Sequence, residues 1–126
     1  MMVRMSAVKF EAVPEFSHEL KALSKKYKHL EADFKNFLRV LEKTPINLIP
    51  GNLRISDLGR TVTTPVYKLT HFRSLDCKGK GSRSGFRIIY THIIEEDDDK
   101  IIFIEIYHKN NQSNHDKDRI LKYFEE

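Results

Sequence analysis

The stretch Gly-Lys-Gly-Ser-Arg-Ser-Gly-Phe-Arg-Ile-Ile-Tyr, residues 79–90, joins a glycine-rich cationic loop to a β-forming run. Glycines let a backbone approach a partner closely, and cationic side chains supply charge for phosphate. The run Phe86–Ile94 is rich in β-branched and aromatic residues, which predicts a strand. That strand is expected to hold Arg87 at a fixed place. A solvated hairpin loop with a surface arginine is the simpler alternative for the same residues.

Two further runs on either side of this strand predict a three-stranded antiparallel meander. Val66–Phe72 precedes the cationic loop, and Ile101–His108 follows an acidic run at residues 95–100. We interpret the acidic run as a solvated hairpin turn. A metal site at Asp97, Asp98 and Asp99 is disfavoured, because consecutive carboxylates do not easily converge on one ion.

The N-terminal half predicts one strand and a helical hairpin. Ser6–Val13 alternates as a strand with one wet face, and Pro14 suits the first turn of a helix. Two apolar stripes at helical spacing follow, separated by a short break. Their members are Phe16, Leu20, Leu23 and Tyr27, then Leu30, Phe34, Phe37, Leu38 and Leu41. Neither helix has a reason to fold alone, so the pair is expected to cover a sheet.

The remaining segments complete an α+β fold in the order β-α-α-β-β-β-α. Thr44–Thr64 contains prolines and glycines without a long period, which predicts a connecting loop. Apolar residues at 120, 121 and 124 predict a short C-terminal helix that docks on the body. We therefore expect a small antiparallel sheet with the helical hairpin on one face, and a single domain spanning residues 1–126.

Composition sets broad limits on function. The chain is 40% hydrophobic and 32% charged, as expected for a globular domain, and its net charge of +4 permits an acidic partner. Cys77 is the single cysteine, so no internal disulfide can form, and no Cys/His pattern predicts a metal site. No apolar run approaches membrane length, so we expect a cytoplasmic protein with no cofactor and no membrane partner.

Strand alternation predicts which side chains meet on the sheet face that the helices leave open. Ile102, Ile104 and Ile106 are assigned to the core under the helices, which sends Phe103, Glu105 and Tyr107 the other way. The same parity argument turns two cations of the earlier strands outward. The predicted open face thus collects Lys68, Arg87, Tyr107 and Lys109, with Lys78, Lys80 and Arg83 on the loop beside it. A one-residue slip in register would reverse a parity.

A face of this composition suits cleavage of RNA by its own 2′-hydroxyl group. That reaction needs a base, a cation for the charge that grows on the phosphate, and an acid for the leaving 5′-oxygen. Arg87 is the best candidate for the cation, and a lysine can act as base if neighbouring cations lower its pKa. His108, at the end of its strand, is a candidate acid or base. Tyr107 is a candidate for stacking on a base of the RNA.

Several short motifs resemble the RelE/ParE superfamily of bacterial toxins over nearly the whole chain. They are Phe37-Leu38-Arg39-Val40-Leu41, Val66-Tyr67-Lys68-Leu69, Gly79-Lys80-Gly81, Ser84-Gly85-Phe86-Arg87-Ile88-Ile89-Tyr90 and Ile104-Glu105-Ile106-Tyr107-His108-Lys109. The resemblance implies a compact microbial-ribonuclease-like fold. It also implies metal-independent cleavage of messenger RNA on the ribosome and neutralisation by a cognate antitoxin.

The resemblance further implies roles for particular residues. Arg87 matches the strand arginine that contacts the scissile phosphate in the family. Tyr107, His108 and Lys109 match the positions of its late catalytic residues. The basic strand-and-loop region that binds RNA would comprise Lys68, Lys78, Lys80 and Arg83.

Two other functions fit the same resemblance. One is a ParE-like module that inhibits DNA gyrase by binding it, with no chemistry of its own. The other is a catalytically degenerate homologue that only binds an antitoxin. The cationic face around Arg87 favours the endoribonuclease. The sequence alone specifies neither a codon preference nor the residues that act as base and acid.

Overall fold

A computed structural model describes residues 8–76, 84–95 and 98–124, which form an α+β fold with three helices and one five-stranded mixed sheet. The N-terminal strand and the helical hairpin occur where the sequence predicts them. Strand β1 spans Val8–Ala12, helix α1 spans Pro14–Lys26 and helix α2 spans Leu30–Lys43. The later elements are β3 at Val66–Leu69, β4 at Phe86–Glu95, β5 at Asp98–His108 and α3 at Lys117–Tyr123.

The predicted loop between α2 and β3 contains a further strand. After a short 3-10 turn at Ile46–Leu48, strand β2 spans Asn52–Arg54 and pairs antiparallel with β3. Gly51 precedes it with a positive φ of 72°, and a Cβ atom there would lie only 2.3 Å from the ring of His71. Only three residues form this edge strand, which is too short to show an alternation in the sequence.

The strand order is β1-β5-β4-β3-β2, and β1 runs parallel to β5. The prediction of a wholly antiparallel sheet was therefore wrong. The meander β3-β4-β5 is antiparallel as expected, because short connections force neighbouring strands to reverse direction. β1 instead reaches the sheet through the helical hairpin, and alternation of side chains does not encode the direction of such a strand.

A β-bulge in β5 changes which residues face the helices. Ile89 pairs with Glu105 but the next residue of β4, Tyr90, pairs with Phe103, so Ile104 is the extra residue. Bulges of this kind bend a strand and break its two-residue period. The parity assigned to Phe103 and Ile104 was consequently wrong, whereas the assignment of Ile106 to the helix side is confirmed.

The larger hydrophobic cluster lies between the helical hairpin and the sheet. Phe103 contacts Phe16 of α1 and Phe34 of α2, with ring centroids 5.3 and 4.9 Å away. Leu30 and Phe37 join it from α2, and all are buried except the half-buried Phe34. The core residues predicted for the earlier strands also belong here, namely Tyr67, Leu69, Phe86, Ile88 and Tyr90. No helix in the described ranges has both the length and the apolar character needed to cross a membrane.

A second, smaller cluster lies on the opposite face of the sheet. Ile120 of α3 is fully buried against Ile89 and Ile104, and Leu58 and Val66 enclose the same cluster. The docked C-terminal helix is thus confirmed. The face expected to be open is partly covered, because the apolar side of α3 needs a surface on which to pack.

An ion pair covers the edge of β5 beyond Phe103, where β5 no longer pairs with β1. Arg119 of α3 donates two hydrogen bonds to the carboxylate of Glu19 on α1, at 2.8 and 3.0 Å. Arg119 also donates to the carbonyl oxygen of Ile104 at 3.1 Å, and the Ile106 amide donates to Glu19 at 3.4 Å. Side chains therefore occupy backbone groups that a free sheet edge would offer to another strand.

The assignment of Phe103 to the core is tested by Phe103→Ala. We expect the free energy of unfolding to fall by roughly 3–5 kcal/mol, since the change leaves a cavity between both helices and the sheet. Ile94→Ala is the matched control, because Ile94 is 72% exposed and should cost roughly 0.5 kcal/mol or less. Urea denaturation measures both. Equal effects of the two changes would contradict the described register.

Candidate RNA-binding face

Four chemically active side chains share the sheet face opposite the helical hairpin. Lys68 pairs across strands with Ile89, which in turn pairs with Glu105, while Arg87 pairs with Tyr107. Directly paired residues point to the same side of a sheet, as do residues two apart along one strand. Lys68, Arg87, Glu105 and Tyr107 therefore form one surface, which we call the cationic face. The predicted outward direction of Lys68 and Arg87 is confirmed.

Arg87 is anchored to the backbone around it. Its guanidinium donates to the carbonyl oxygens of Thr70 at 3.1 Å and Phe86 at 3.3 Å, and the side chain is half-buried. Both bonds use one terminal nitrogen, Nη1. The guanidinium carries five N–H donors in all, and within the described residues the other nitrogens donate to no partner. This arrangement presents a fixed positive group suited to a phosphate oxygen.

Lys68 lies beside Arg87 and is held by the segment after β5. Its Nζ atom donates to Oδ1 of Asn114 at 2.7 Å. Burial lowers the pKa of the Lys68 ammonium below its usual 10.5, the positive charge of Arg87 lowers it further, and Glu105 opposes both effects. Lowering of a lysine pKa is what proton transfer near neutral pH requires. Lys68 is thus a lysine of lowered pKa, of the kind that the sequence analysis expected without naming a residue.

Glu105 lies on the face where the sequence predicts it, although no function was predicted for it. Its side chain is only 2% exposed, and it accepts hydrogen bonds from Nε2 of Gln112 at 2.7 Å and from the Asp116 amide at 2.8 Å. Burial raises the pKa of this carboxyl despite those bonds. A single acidic residue inside the apolar run Ile101–Tyr107 was the available signal, since a buried charge needs dedicated partners.

Tyr107 is too buried to serve as an exposed stacking platform. It is 5% exposed and belongs to the smaller hydrophobic cluster beside Ile120. Burial raises the pKa of its phenol, Glu105 raises it further, and Arg87 acts in the opposite direction. The phenol therefore keeps its proton at neutral pH, beside Arg87 on the neighbouring strand.

His108 lies on the other side of the sheet, under the helical hairpin. It is 7% exposed and stacks on Tyr27, the residue that follows α1, with ring centroids 6.0 Å apart. Its Nδ1 accepts a hydrogen bond from the Asn110 amide, which leaves the proton on Nε2 to be donated to the Ser84 carbonyl at 2.9 Å. Both ring nitrogens are thus used internally, so the arrangement gives His108 a packing role and does not support the predicted acid–base role.

The remaining predicted site residues are only partly placed. Lys109 follows β5 directly and is exposed, and its amide donates to the Gly85 carbonyl at 2.9 Å. Lys78, Lys80 and Arg83 lie outside the described residues. Their predicted contribution to RNA binding stays a prediction.

The described part of the chain contains no group of three or more His, Cys, Asp or Glu side chains arranged to hold a metal ion. Asp99, one of the acidic residues considered as a ligand, instead lies 3.1 Å from Nε2 of His92. The chemically active groups of the cationic face are two side-chain cations, a protonated phenol and a buried carboxyl.

Comparisons with protein-family models, with characterised proteins and with solved structures found no significant match. Function is therefore inferred from the geometry of the cationic face and from the motifs of the sequence.

The electrostatic coupling of the cationic face is tested by the pKa of Lys68. Arg87→Gln removes a positive neighbour, so we expect the Lys68 pKa to rise toward its usual value. Glu105→Gln removes a negative neighbour, so we expect the pKa to fall further. Arg39→Gln is the control, since Arg39 is an exposed arginine of α2. Side-chain NMR titration measures each value. Identical Lys68 titrations in Arg87→Gln and wild type would contradict the proximity of the two cations.

Proposed function

We propose that the protein is the toxin of a toxin–antitoxin pair and cleaves messenger RNA on the ribosome through the 2′-hydroxyl of the RNA. The observation that carries the proposal is that an anchored Arg87 and a Lys68 of lowered pKa lie on the same sheet face. The order of helices and strands, with a helical hairpin on one face of the sheet, is consistent with a RelE-like microbial-ribonuclease-type fold. That finer fold assignment is part of the proposal.

The cationic face meets the electrostatic requirement of the reaction. As the 2′-oxygen attacks phosphorus, negative charge grows on the non-bridging phosphate oxygens. The Arg87 N–H groups that have no partner among the described residues would donate to those oxygens from a position that the Thr70 and Phe86 carbonyls already fix. Donors fixed in advance stabilise developing charge without reorganising, and loss of one costs roughly 10²–10³-fold in rate.

Proton transfer on this face would use Lys68. An ammonium group whose pKa lies below the usual lysine value is a stronger acid, so it can protonate the 5′-oxygen as the P–O5′ bond breaks. The products would be a 2′,3′-cyclic phosphate and a 5′-hydroxyl end. Tyr107 contributes a protonated phenol beside Arg87, and Lys109 an exposed cation after β5. The proposed partners are the ribosome, its messenger RNA and a cognate antitoxin.

The proposal is tested by expressing wild type and Arg87→Gln from an inducible promoter and mapping messenger RNA ends. We expect growth arrest and cuts within translated frames for the wild type. Arg87→Gln should lower the cleavage rate roughly 10²–10³-fold, because the principal phosphate donor is lost. Arg39→Gln is the matched control and should cut like the wild type, since Arg39 is exposed on α2.

Other outcomes would contradict the proposal in distinguishable ways. Intact messages together with DNA damage would indicate a ParE-like gyrase inhibitor. Intact messages with normal growth would indicate a homologue that has lost its activity. Wild-type cutting by a folded Arg87→Gln variant would remove the cationic face as the catalytic site.

A further inference from the structure

We propose that His115 is the general base of the cleavage reaction, taking the proton from the attacking 2′-hydroxyl. This inference rests on the proposed function and adds a catalytic residue to the same site. The sequence predicts no role for His115, which lies in the polar connector of residues 110–116, far along the chain from Lys68 and Arg87.

The connector after β5 brings His115 to the cationic face. One atom, Oδ1 of Asn114, accepts a hydrogen bond from Lys68 Nζ at 2.7 Å and another from the His115 amide at 2.9 Å. Two hydrogen bonds hold the connector in place, because the Asp116 amide and Gln112 Nε2 both donate to the buried Glu105. His115 is thus fixed next to the lysine that would protonate the leaving group.

The imidazole of His115 has a nitrogen that nothing in the described ranges satisfies. Nδ1 is buried and has no hydrogen-bond partner there, although the side chain as a whole is half-exposed. Buried polar atoms are normally paired, and exceptions call for an explanation. His108 offers a contrast within the same chain, since both of its ring nitrogens are engaged. Because Nδ1 is buried, a 2′-hydroxyl would reach the ring through Nε2, for which the described residues provide no hydrogen-bond partner either.

Electrostatics around the ring favour its neutral form. Burial lowers the pKa of His115 below the usual 6.5, and the positive charges of Lys68 on β3 and Lys117 on α3 lower it further. Asp116 acts in the opposite direction. The ring is therefore predominantly neutral at pH 7 and able to accept a proton, whereas the nearby lysine is charged and able to give one.

The proposed step balances in protons and charge. Neutral His115 takes the 2′-hydroxyl proton as the O2′–P bond forms, and the imidazolium results. The P–O5′ bond breaks, and the leaving oxygen takes a proton from the Lys68 ammonium. The phosphodiester and the cyclic phosphate each carry one negative charge. Return of the proton from the imidazolium to the neutral lysine, through solvent, restores the starting state.

The test is the pH dependence of single-turnover cleavage on programmed ribosomes, for wild type, His115→Ala and Arg87→Gln. Removing a general base should lower the rate at pH 7 roughly 10²–10⁴-fold. The wild-type rate should fall on acidification below the His115 pKa, because the protonated ring cannot accept a proton. His115→Ala should lose this acid limb and regain rate when imidazole is added. His18→Ala, at an exposed histidine of α1, should match the wild type.

The outcomes separate this inference from the proposed function. If the wild type cuts and Arg87→Gln does not, but His115→Ala keeps the wild-type rate and acid limb, the role of His115 is overturned and the ribonuclease proposal stands. A slow His115→Ala variant that retains the acid limb, or gains nothing from imidazole, also overturns the role of His115. Absence of cleavage by the wild type overturns both proposals. Circular dichroism of His115→Ala shows whether the variant is folded.

Discussion

The pairing of β4 with β5, interrupted by one bulge, determines what each face of the sheet carries. On one side of the bulge Phe103 faces the helical hairpin, and on the other side Ile106 does so. The extra residue, Ile104, joins the opposite face together with Tyr107. Without the bulge, a strict alternation could not keep both Phe103 and Ile106 in the larger cluster. The same irregularity leaves Glu105 directly across from Ile89, at the centre of the cationic face.

The cationic face places two positive side chains, Lys68 and Arg87, beside the buried carboxyl of Glu105. Two cations this close are mutually destabilising, and burial adds to the cost, as the lowered pKa of Lys68 indicates. Glu105 offsets part of that cost, and it also holds the connector through Gln112 and the Asp116 amide. Helix α3 begins immediately after that connector and closes the edge of β5 through Arg119. The carboxyl of Glu105 therefore both holds the C-terminal segment in place and offsets part of the positive charge at the proposed site.

Features that depend on local periodicity were predictable, and features that depend on tertiary packing were not. The stripes of α1 and α2 and the parity of Lys68 and Arg87 follow from repeats of residue type. The bulge at Ile104 has no local signature, since isoleucine suits either face of the strand. The sequence predicted an acid–base role for His108 and none for His115, because the burial and hydrogen-bond partners that distinguish the two rings depend on tertiary packing. In the structure both ring nitrogens of His108 are engaged under the helices, while Nδ1 of His115 has no partner among the described residues.

We propose that RNA binds to the sheet face opposite the helical hairpin. The most direct test of this proposal is an NMR titration with a trinucleotide whose 2′-hydroxyls are methylated, which cannot be cleaved and which reports weak binding. The account predicts the largest shifts at the side chains of Lys68, Arg87 and His115, with little change at the exposed His18 of α1. Shifts confined to the helical hairpin, or no shift at Lys68, Arg87 and His115, would contradict it.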